Sequence, residues 1–117
     1  MAKITGIGGI FFRSKDPAAM AAWYSTHLGI NAGNDPWQQE AGSTVFAPFP
    51  ADSDYFPADR QYMLNLRVDD ISGMIARLIA DGVTVETRVE WDGTWGKFAR
   101  IHDPEGNPVE LWQPPEG

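Results

Sequence analysis

The chain has 117 residues, 43% of them apolar, and a formal net charge of −7. This length and composition favour one soluble globular domain, and the acidic balance argues against nucleic acid and anionic membrane surfaces as partners. Cysteine is absent, which excludes disulfides, thiolate metal sites and cysteine nucleophiles.

The start of the chain carries no pattern of an export signal. A single lysine precedes a short apolar stretch, and neither a long apolar segment nor an Ala-x-Ala cleavage site is present. The apolar runs are far shorter than the roughly 20 residues of a membrane span. We therefore expect a cytoplasmic protein without membrane insertion.

The first half begins with a predicted strand and a predicted helix. Residues 7–12 are strand-like. Asp16 is a plausible N-cap, Pro17 suits the first helical position, and apolar residues at helical spacing lead to Gly29. The sequence therefore predicts a helix between Pro17 and Gly29.

The remainder of the first half is less regular. Residues 30–41 are expected to hold strands without definable bounds, whereas residues 42–49 are typical of a strand. Residues 50–60 are rich in Pro, Asp and Tyr, which predicts a linker between the two halves.

The second half repeats this order. A strand-like block starts at Met63, and Asp69 or Asp70 caps a helix that Gly82 ends. Three further strands are predicted at residues 83–89, 97–102 and 108–113, the last two joined by a turn.

The two halves of the chain share a sequence pattern. Residues 9–16 recur in pattern as residues 63–70, 54 positions later, and residues 42–50 match residues 106–114. Glycines, helix-capping residues and hydrophobic residues align between the two halves, although few residues are identical. This pattern indicates a duplication, and the alternative is two ordinary βα units whose turn signals coincide.

Three segments are similar to a known superfamily. Residues 98–112 resemble its closing "DP-x-GN-x-x-EL" segment, Trp23-Tyr24 with Leu28-Gly29 resemble its "FY…LG" helix, and residues 67–70 match its second helix start. On these motifs the chain resembles the vicinal oxygen chelate (VOC) superfamily, which includes glyoxalase I, extradiol dioxygenases, and fosfomycin- and bleomycin-resistance proteins.

The resemblance implies an α+β glyoxalase/bleomycin-resistance fold over the whole chain, as a single domain. Two tandem βαβββ modules, at about residues 1–54 and 55–117, would form a cupped mixed sheet with helices on the convex face. Each module has one helix for one face of its sheet, so the other face is buried by the second copy. The resemblance also implies a homodimer.

Metal-using members of the superfamily have four ligands, and the resemblance places those positions at Gly9, Phe46, Met63 and Glu110. Of these side chains only Glu110 is a hard oxygen ligand. We therefore expect no metal cofactor. The alternative is a divalent metal held by Glu110 and unidentified ligands.

Symmetric pairing of residues 97–102 with residues 108–113 would place Arg100 opposite Glu110, which predicts a charge pair in place of the metal. Strand alternation and the predicted loops then give the expected ligand-binding residues: Phe11, Arg13, Phe46, Met63, Asn65, Arg67, Trp91, Trp95, Arg100, Glu110 and Trp112. Such an aromatic cavity suits a small, partly apolar ligand with an anionic or hydrogen-bonding group. The alternative is a structural ion pair surrounded by core aromatics.

Two further features have functional and structural interpretations. Glu110 and His102 are the catalytic candidates, with Asp103 as an orienter of His102, but His102 also fits a structural role in the turn. Trp91 and Trp95 could form a lid over the cavity or pack against a partner subunit.

Two functions follow from this reading. The first is a glyoxalase/bleomycin-resistance-like protein that binds a small molecule in a metal-free cavity. The alternative is a divalent-metal-dependent glyoxalase-like lyase, isomerase or dioxygenase.

Overall fold

The computed structural model describes residues 1–31 and 35–116. Along the chain it contains two α-helices, three β-strands and one turn of 3₁₀-helix, which are α1 (Pro17–Leu28), β1 (Leu64–Arg67), α2 (Ile71–Ala80), the 3₁₀ turn (Val89–Trp91), β2 (Lys97–His102) and β3 (Pro108–Gln113).

Helix α1 begins and ends as its sequence predicts. The Asp16 side chain accepts a hydrogen bond of 3.1 Å from the Ala19 N–H, which satisfies one of the free donors of the first turn. Gly29 has φ 67° and donates its N–H to the Ser25 carbonyl, so a left-handed residue ends the helix.

Helix α2 is also confirmed, although it is shorter than predicted. Asp70, not Asp69, is the cap, and its carboxylate accepts a hydrogen bond of 3.1 Å from the Gly73 N–H. The helix ends at Ala80, two residues before Gly82, whose φ of 85° suits the turn that follows.

The three strands form one mixed sheet in the order β1-β3-β2. Strand β3 pairs in parallel with β1 and antiparallel with β2, so it is the central strand. The predicted strands at residues 97–102 and 108–113 are confirmed, and Arg100 lies opposite Glu110 as symmetric pairing predicts.

Both helices pack on one face of this sheet. The core contains buried side chains of α1, α2, β2 and β3, which are Met20, Tyr24, Ile71, Leu78, Ala99, Ile101, Val109 and Leu111. Burying a large aliphatic side chain stabilises a fold by about 1.5–3 kcal/mol. The helices therefore fix the sheet from behind and leave its other face to polar and aromatic side chains.

Three predicted strands are absent from the described chain. Residues 7–12 and 42–49 form no strand, and nearly all of residues 1–16 and all of residues 35–52 are exposed. An extended segment without a paired neighbour is not stable in water, and neither segment pairs with another segment among the described residues. Residues 83–89 form a single bridge, from Glu86 to Arg100, and then enter the 3₁₀ turn.

The first half thus contributes one helix to the described fold. The strands expected at residues 30–41 fall partly on residues 32–34, outside the described residues. Within residues 1–31 and 35–116, no helix has the length and apolar character that crossing a bilayer requires.

Candidate ligand-binding face

The face of the sheet opposite the helices carries two rows of side chains across the three strands. The register sets Asn65, Glu110 and Arg100 side by side, and Arg67, Trp112 and Phe98 next to them. Side chains alternate along each strand, so these positions share one face. We call these six residues the Glu110 face.

Glu110 is buried at the centre of this face, with 6% of its surface exposed. Its Oε1 accepts a hydrogen bond of 2.7 Å from the Asn65 amide. Its Oε2 accepts a hydrogen bond from the hydroxyl of Tyr55. A buried carboxylate is costly unless donors satisfy it, and here two neutral side chains do so.

Arg100 is equally buried, with 6% of its surface exposed. One guanidinium nitrogen donates to the Tyr55 carbonyl at 3.0 Å. The guanidinium carbon lies 5.1 Å from the centre of the Tyr55 ring and 5.5 Å from that of Trp91, within cation–π range. The Arg100 Nε is buried and has no hydrogen-bond partner in the described part of the chain.

The predicted charge pair between Arg100 and Glu110 is wrong. The two residues are cross-strand neighbours, yet their side chains form no ion pair. The carboxylate is engaged by Tyr55 and Asn65, and the guanidinium is engaged by the Tyr55 carbonyl and two aromatic rings. Tyr55 thus contacts both Arg100 and Glu110, which were expected to contact each other directly.

Tyr55 was missed by the sequence analysis because it belongs to the segment interpreted as a linker. Burial, and then the hydrogen bond to Glu110, raise its pKa to about 12. The hydroxyl therefore remains a hydrogen-bond donor at neutral pH. The ring also packs against Phe49 at 5.6 Å and Trp91 at 6.3 Å between centroids. The sequence signal was limited to an aromatic residue with a polar tip in a segment rich in Pro and Asp, because the fold alone brings Tyr55 to Glu110.

The loop of residues 91–96 is attached to the sheet at several points. The Trp112 indole donates to the Trp95 carbonyl at 2.8 Å, and the Phe98 N–H donates to the Asp92 carboxylate at 3.1 Å. Trp91 lies against Arg100, whereas the Trp95 side chain is 77% exposed. The structure therefore brings one of the two predicted lid tryptophans to the Glu110 face.

Two other predicted site residues, Met63 and Arg67, belong to β1 or immediately precede it. Met63 is half-buried just before β1. Arg67 donates to the Glu40 carbonyl at 3.0 Å, and its guanidinium lies where a side chain at residue 42 would be, so Gly42 leaves room for it.

The predicted contributions of the first half are not assembled with the others. Phe11 is 97% exposed and Phe46 is 89% exposed. Arg13 lines a separate surface pocket of about 470 Å³ with Lys15 and Arg60. That pocket does not include Arg100 or Glu110.

His102 and Asp103 do not form a base and its orienter. Asp103 is 4% exposed, and its carboxylate accepts hydrogen bonds of 2.8 Å from the Tyr24 hydroxyl and from the Asn107 amide. Burial, and then the bond to Asp103, raise the pKa of Tyr24 above its ordinary range. Asp103 therefore organises the turn between β2 and β3 and ties it to α1.

His102 is exposed at the end of β2 and lines a cleft of about 370 Å³. This cleft also contains Trp23 and His27, whose Nδ1 lies 3.4 Å from an Asp81 carboxylate oxygen. His102 follows Arg100 by two residues on β2, so strand alternation places it on the same side of the sheet as Glu110, but the cleft that it lines does not include Glu110.

The four positions implied as metal ligands do not fit a metal. Gly9, Phe46 and Met63 offer no hard donor, and both oxygens of Glu110 already accept hydrogen bonds. In residues 1–31 and 35–116, no three His, Asp or Glu side chains are grouped as metal ligands. We derive no metal-dependent step from this arrangement.

Two solved structures are similar to this chain. The chain matches the protein TnmS3, described as an antibiotic binding protein from Streptomyces sp. CB03234, with 27% identity, a TM-score of 0.66, and coverage of 98% of this chain and 100% of that chain. It also matches a glyoxalase/bleomycin resistance protein from Streptomyces sp. CB03234, with 37% identity over 45% of this chain and 46% of that chain and a TM-score of 0.40.

No curated protein matches the chain. The family model of the Glyoxalase-like domain, in contrast, matches residues 9–112, which is most of the sequence. The chain therefore belongs to the Glyoxalase-like domain family of the VOC superfamily.

Proposed function

We propose that this protein binds a small organic molecule on the Glu110 face, without a metal, and holds it rather than converting it. The observation that carries this proposal is Arg100, a buried guanidinium with two aromatic rings beside it and an Nε that has no hydrogen-bond partner among the described residues. A buried donor without a partner costs free energy, and a bound ligand oxygen would recover that cost.

The chemistry of this face supports an aromatic ligand. Trp91, Phe98 and Trp112 offer ring surface, and the Phe98 and Trp112 rings are stacked at 10°. Small-molecule sites combine such apolar surface with a few polar groups that orient the ligand. Glu110 and Arg100 would be those polar groups.

The similarity to an antibiotic-binding protein narrows the class of ligand that we propose. That relative shares 27% identity across nearly the whole of both chains. We therefore propose an antibiotic-like natural product as the ligand.

We also propose that the protein is cytoplasmic. The chain has no cysteine, so it forms no disulfide that would need an oxidising compartment.

The test is a binding screen of aromatic antibiotics by isothermal titration calorimetry, with wild type, Arg100→Met and Arg77→Met. Arg77 is an exposed arginine on α2, behind the sheet, so it is the matched control. We expect a ligand whose affinity falls at least roughly tenfold in Arg100→Met, because a charged hydrogen bond is lost, and is unchanged in Arg77→Met. Ligands that bind both variants equally well would contradict the proposed site.

The metal question has a separate test. We expect elemental analysis of protein purified without chelator to find no stoichiometric metal. Thermal-shift titrations with Mg, Mn, Fe(II), Co, Ni and Zn should give no saturable stabilisation, because a specific ligand stabilises the folded state by mass action. A stoichiometric metal would instead favour the glyoxalase-like lyase, isomerase or dioxygenase.

We also propose that two copies of the chain pair through the first half. Ile10, Phe11, Val45 and Phe46 are 58%, 97%, 70% and 89% exposed, which is unusual for so many large apolar side chains in two short segments. The corresponding segments of the second half contain β1 and β3. In a homodimer the first-half segments would gain the strand partners that the described part of a single copy does not give them, and the first βαβββ module would be completed.

Sedimentation equilibrium tests the homodimer. We expect a dimeric wild type, a monomeric Phe11→Ser variant, and a dimeric Val89→Ser variant. Val89 is 91% exposed in the second half and serves as the matched apolar control. A monomeric wild type at micromolar concentration would contradict the pairing.

A further inference from the structure

Tyr55 makes the contacts that a bound aromatic molecule would make on the Glu110 face. Its hydroxyl donates to Glu110, its ring lies on the Arg100 guanidinium, and its carbonyl accepts a hydrogen bond from Arg100. The ring edge also meets Trp91 at 66° between planes. Tyr55 thus contacts the Glu110 carboxylate, the Arg100 guanidinium and the Trp91 ring at the same time.

The segment that carries Tyr55 has few other attachments. We call residues 50–60 the strap. In the described chain, its hydrogen bonds to other segments come from Tyr55 and from Arg60, which donates to the Glu105 carbonyl at 3.0 Å. Its remaining backbone bonds are local turns, such as Ser53 to the Pro50 carbonyl. Segments with so few contacts open at low free-energy cost.

We propose that Tyr55 is a built-in occupant of the ligand site, and that the ligand is a planar aromatic molecule with a phenolic hydroxyl that displaces it. This inference rests on the proposed function, because it names the ligand class of the same site. The phenol of the ligand takes the place of the tyrosine phenol against Glu110, and the strap swings away from the sheet.

A ligand displaces Tyr55 favourably if it also forms contacts that Tyr55 does not form. While Tyr55 is in place, the Arg100 Nε is buried and no group in residues 1–31 and 35–116 accepts a hydrogen bond from it. A ligand with an acceptor oxygen beside its ring satisfies that donor, and a fused ring system covers more of Trp91 than one phenol ring does. The strap nevertheless competes, and the apparent affinity is reduced by the fraction of protein in which the site is open.

Glu110 gives the site its preference for a hydroxyl. The carboxylate is 6% exposed, so a ligand that removes Tyr55 without supplying a donor leaves a buried charge short of one hydrogen bond. Sites built around such a bond discriminate strongly against analogues that lack the hydroxyl. A phenol should therefore bind much more tightly than its methyl ether.

The test uses 2-naphthol and 2-methoxynaphthalene as probes in calorimetric titrations. The variants are Tyr55→Ala, which removes the occupant, Tyr55→Phe, which removes only its hydroxyl, and Tyr62→Phe, a control at a tyrosine that is 84% exposed. We expect Tyr55→Ala to bind 2-naphthol about tenfold more tightly than wild type, because the internal competitor is gone. The affinity of Tyr55→Phe for 2-naphthol should lie between those of wild type and Tyr55→Ala. The affinity of Tyr62→Phe should equal that of wild type.

A second comparison tests the recognition of the hydroxyl. In the Tyr55→Ala background, 2-methoxynaphthalene should bind at least roughly tenfold more weakly than 2-naphthol, and Glu110→Gln should reduce that preference. Circular dichroism establishes that each variant is folded before it is titrated.

The outcomes separate this inference from the proposed function. Weaker or unchanged 2-naphthol binding in both Tyr55 variants would show that Tyr55 is a wall of the site, and equal binding of the two probes would show that no hydroxyl is recognised. Either result overturns the inference, as does the absence of 2-naphthol binding to Tyr55→Ala. An antibiotic whose binding depends on Arg100 would still uphold the proposed function in each case.

Discussion

The hydrogen bond from Tyr24 to Asp103 should be a measurable contributor to stability. Tyr24 is 5% exposed and Asp103 is 4% exposed, and the two side chains join α1 to the turn between β2 and β3 at 2.8 Å. Replacing Tyr24 by Phe keeps the ring and removes this one donor. Hydrogen bonds to charged groups contribute about 1.5–3 kcal/mol, and the low end applies because Asp103 keeps its bonds from the turn.

We therefore expect Tyr24→Phe to lower the free energy of unfolding by about 1.5–2 kcal/mol. At roughly 4 °C per kcal/mol for a domain of this size, the midpoint of thermal unfolding falls by about 6–8 °C. Urea denaturation monitored by circular dichroism measures the change, which should appear in the midpoint and not in the slope.

Tyr62→Phe is the control for Tyr24→Phe, because that hydroxyl lies on a side chain that is 84% exposed. A Tyr24→Phe midpoint equal to that of Tyr62→Phe would refute the reasoning that the bond to Asp103 ties the turn to α1. A double-mutant cycle with Asp103→Asn isolates the pair, and we expect a non-zero interaction energy.

Gly96→Ala should destabilise the fold by about 2 kcal/mol in urea denaturation, because Gly96 has φ 118° and an added Cβ would overlap the Gln113 carbonyl oxygen; Gly93→Ala, with open space around it, should be near neutral. The raised pKa of Tyr55 favours its protonated form in the folded state, so its contribution to stability is complete below pH 10 and is lost as the pH rises through about 12. Absorbance of tyrosinate against pH should show two late-titrating tyrosines, Tyr24 and Tyr55, and the signal of Tyr55 should disappear in Tyr55→Phe. The lowered pKa of Glu105, held by the Ser14 hydroxyl, predicts the opposite sign: its stabilisation is present above pH 4.5 and is lost on acidification, so Glu105→Gln should flatten the acid side of a stability profile.

Local signals in the sequence predicted the elements that local interactions stabilise. Asp16 and Asp70 cap the two helices through their own side chains, and Gly29 ends α1 in the left-handed conformation that its position indicates. The strands at residues 97–102 and 108–113 follow from a turn with defined chemistry, and their pairing follows from the symmetry of that turn. In each case the energy comes from residues close in sequence.

The errors concern interactions between distant segments. Residues 7–12 and 42–49 have the composition of strands, but a strand forms only where a neighbour offers a free backbone edge, and sequence pattern does not reveal that neighbour. Tyr55 was missed for the same reason, since Glu110 is 55 residues away and nothing periodic marks a tyrosine in a strap. The Arg100–Glu110 ion pair was wrong because cross-strand adjacency fixes backbone positions, not the partners that each side chain chooses.

The hydrogen bonds to Glu110 explain how a buried carboxylate can persist at a position that the family resemblance implies as a metal ligand. Its burial would be costly alone, but Asn65 and Tyr55 provide neutral donors in place of a cation. Arg100 depends on the same tyrosine for its carbonyl partner and for one of its two aromatic neighbours. Two buried charges of opposite sign therefore rely on a single residue of the strap. Displacing Tyr55 exposes both charges at once, so a molecule that carries a donor and an acceptor on one ring gains two charge-assisted hydrogen bonds in a single event.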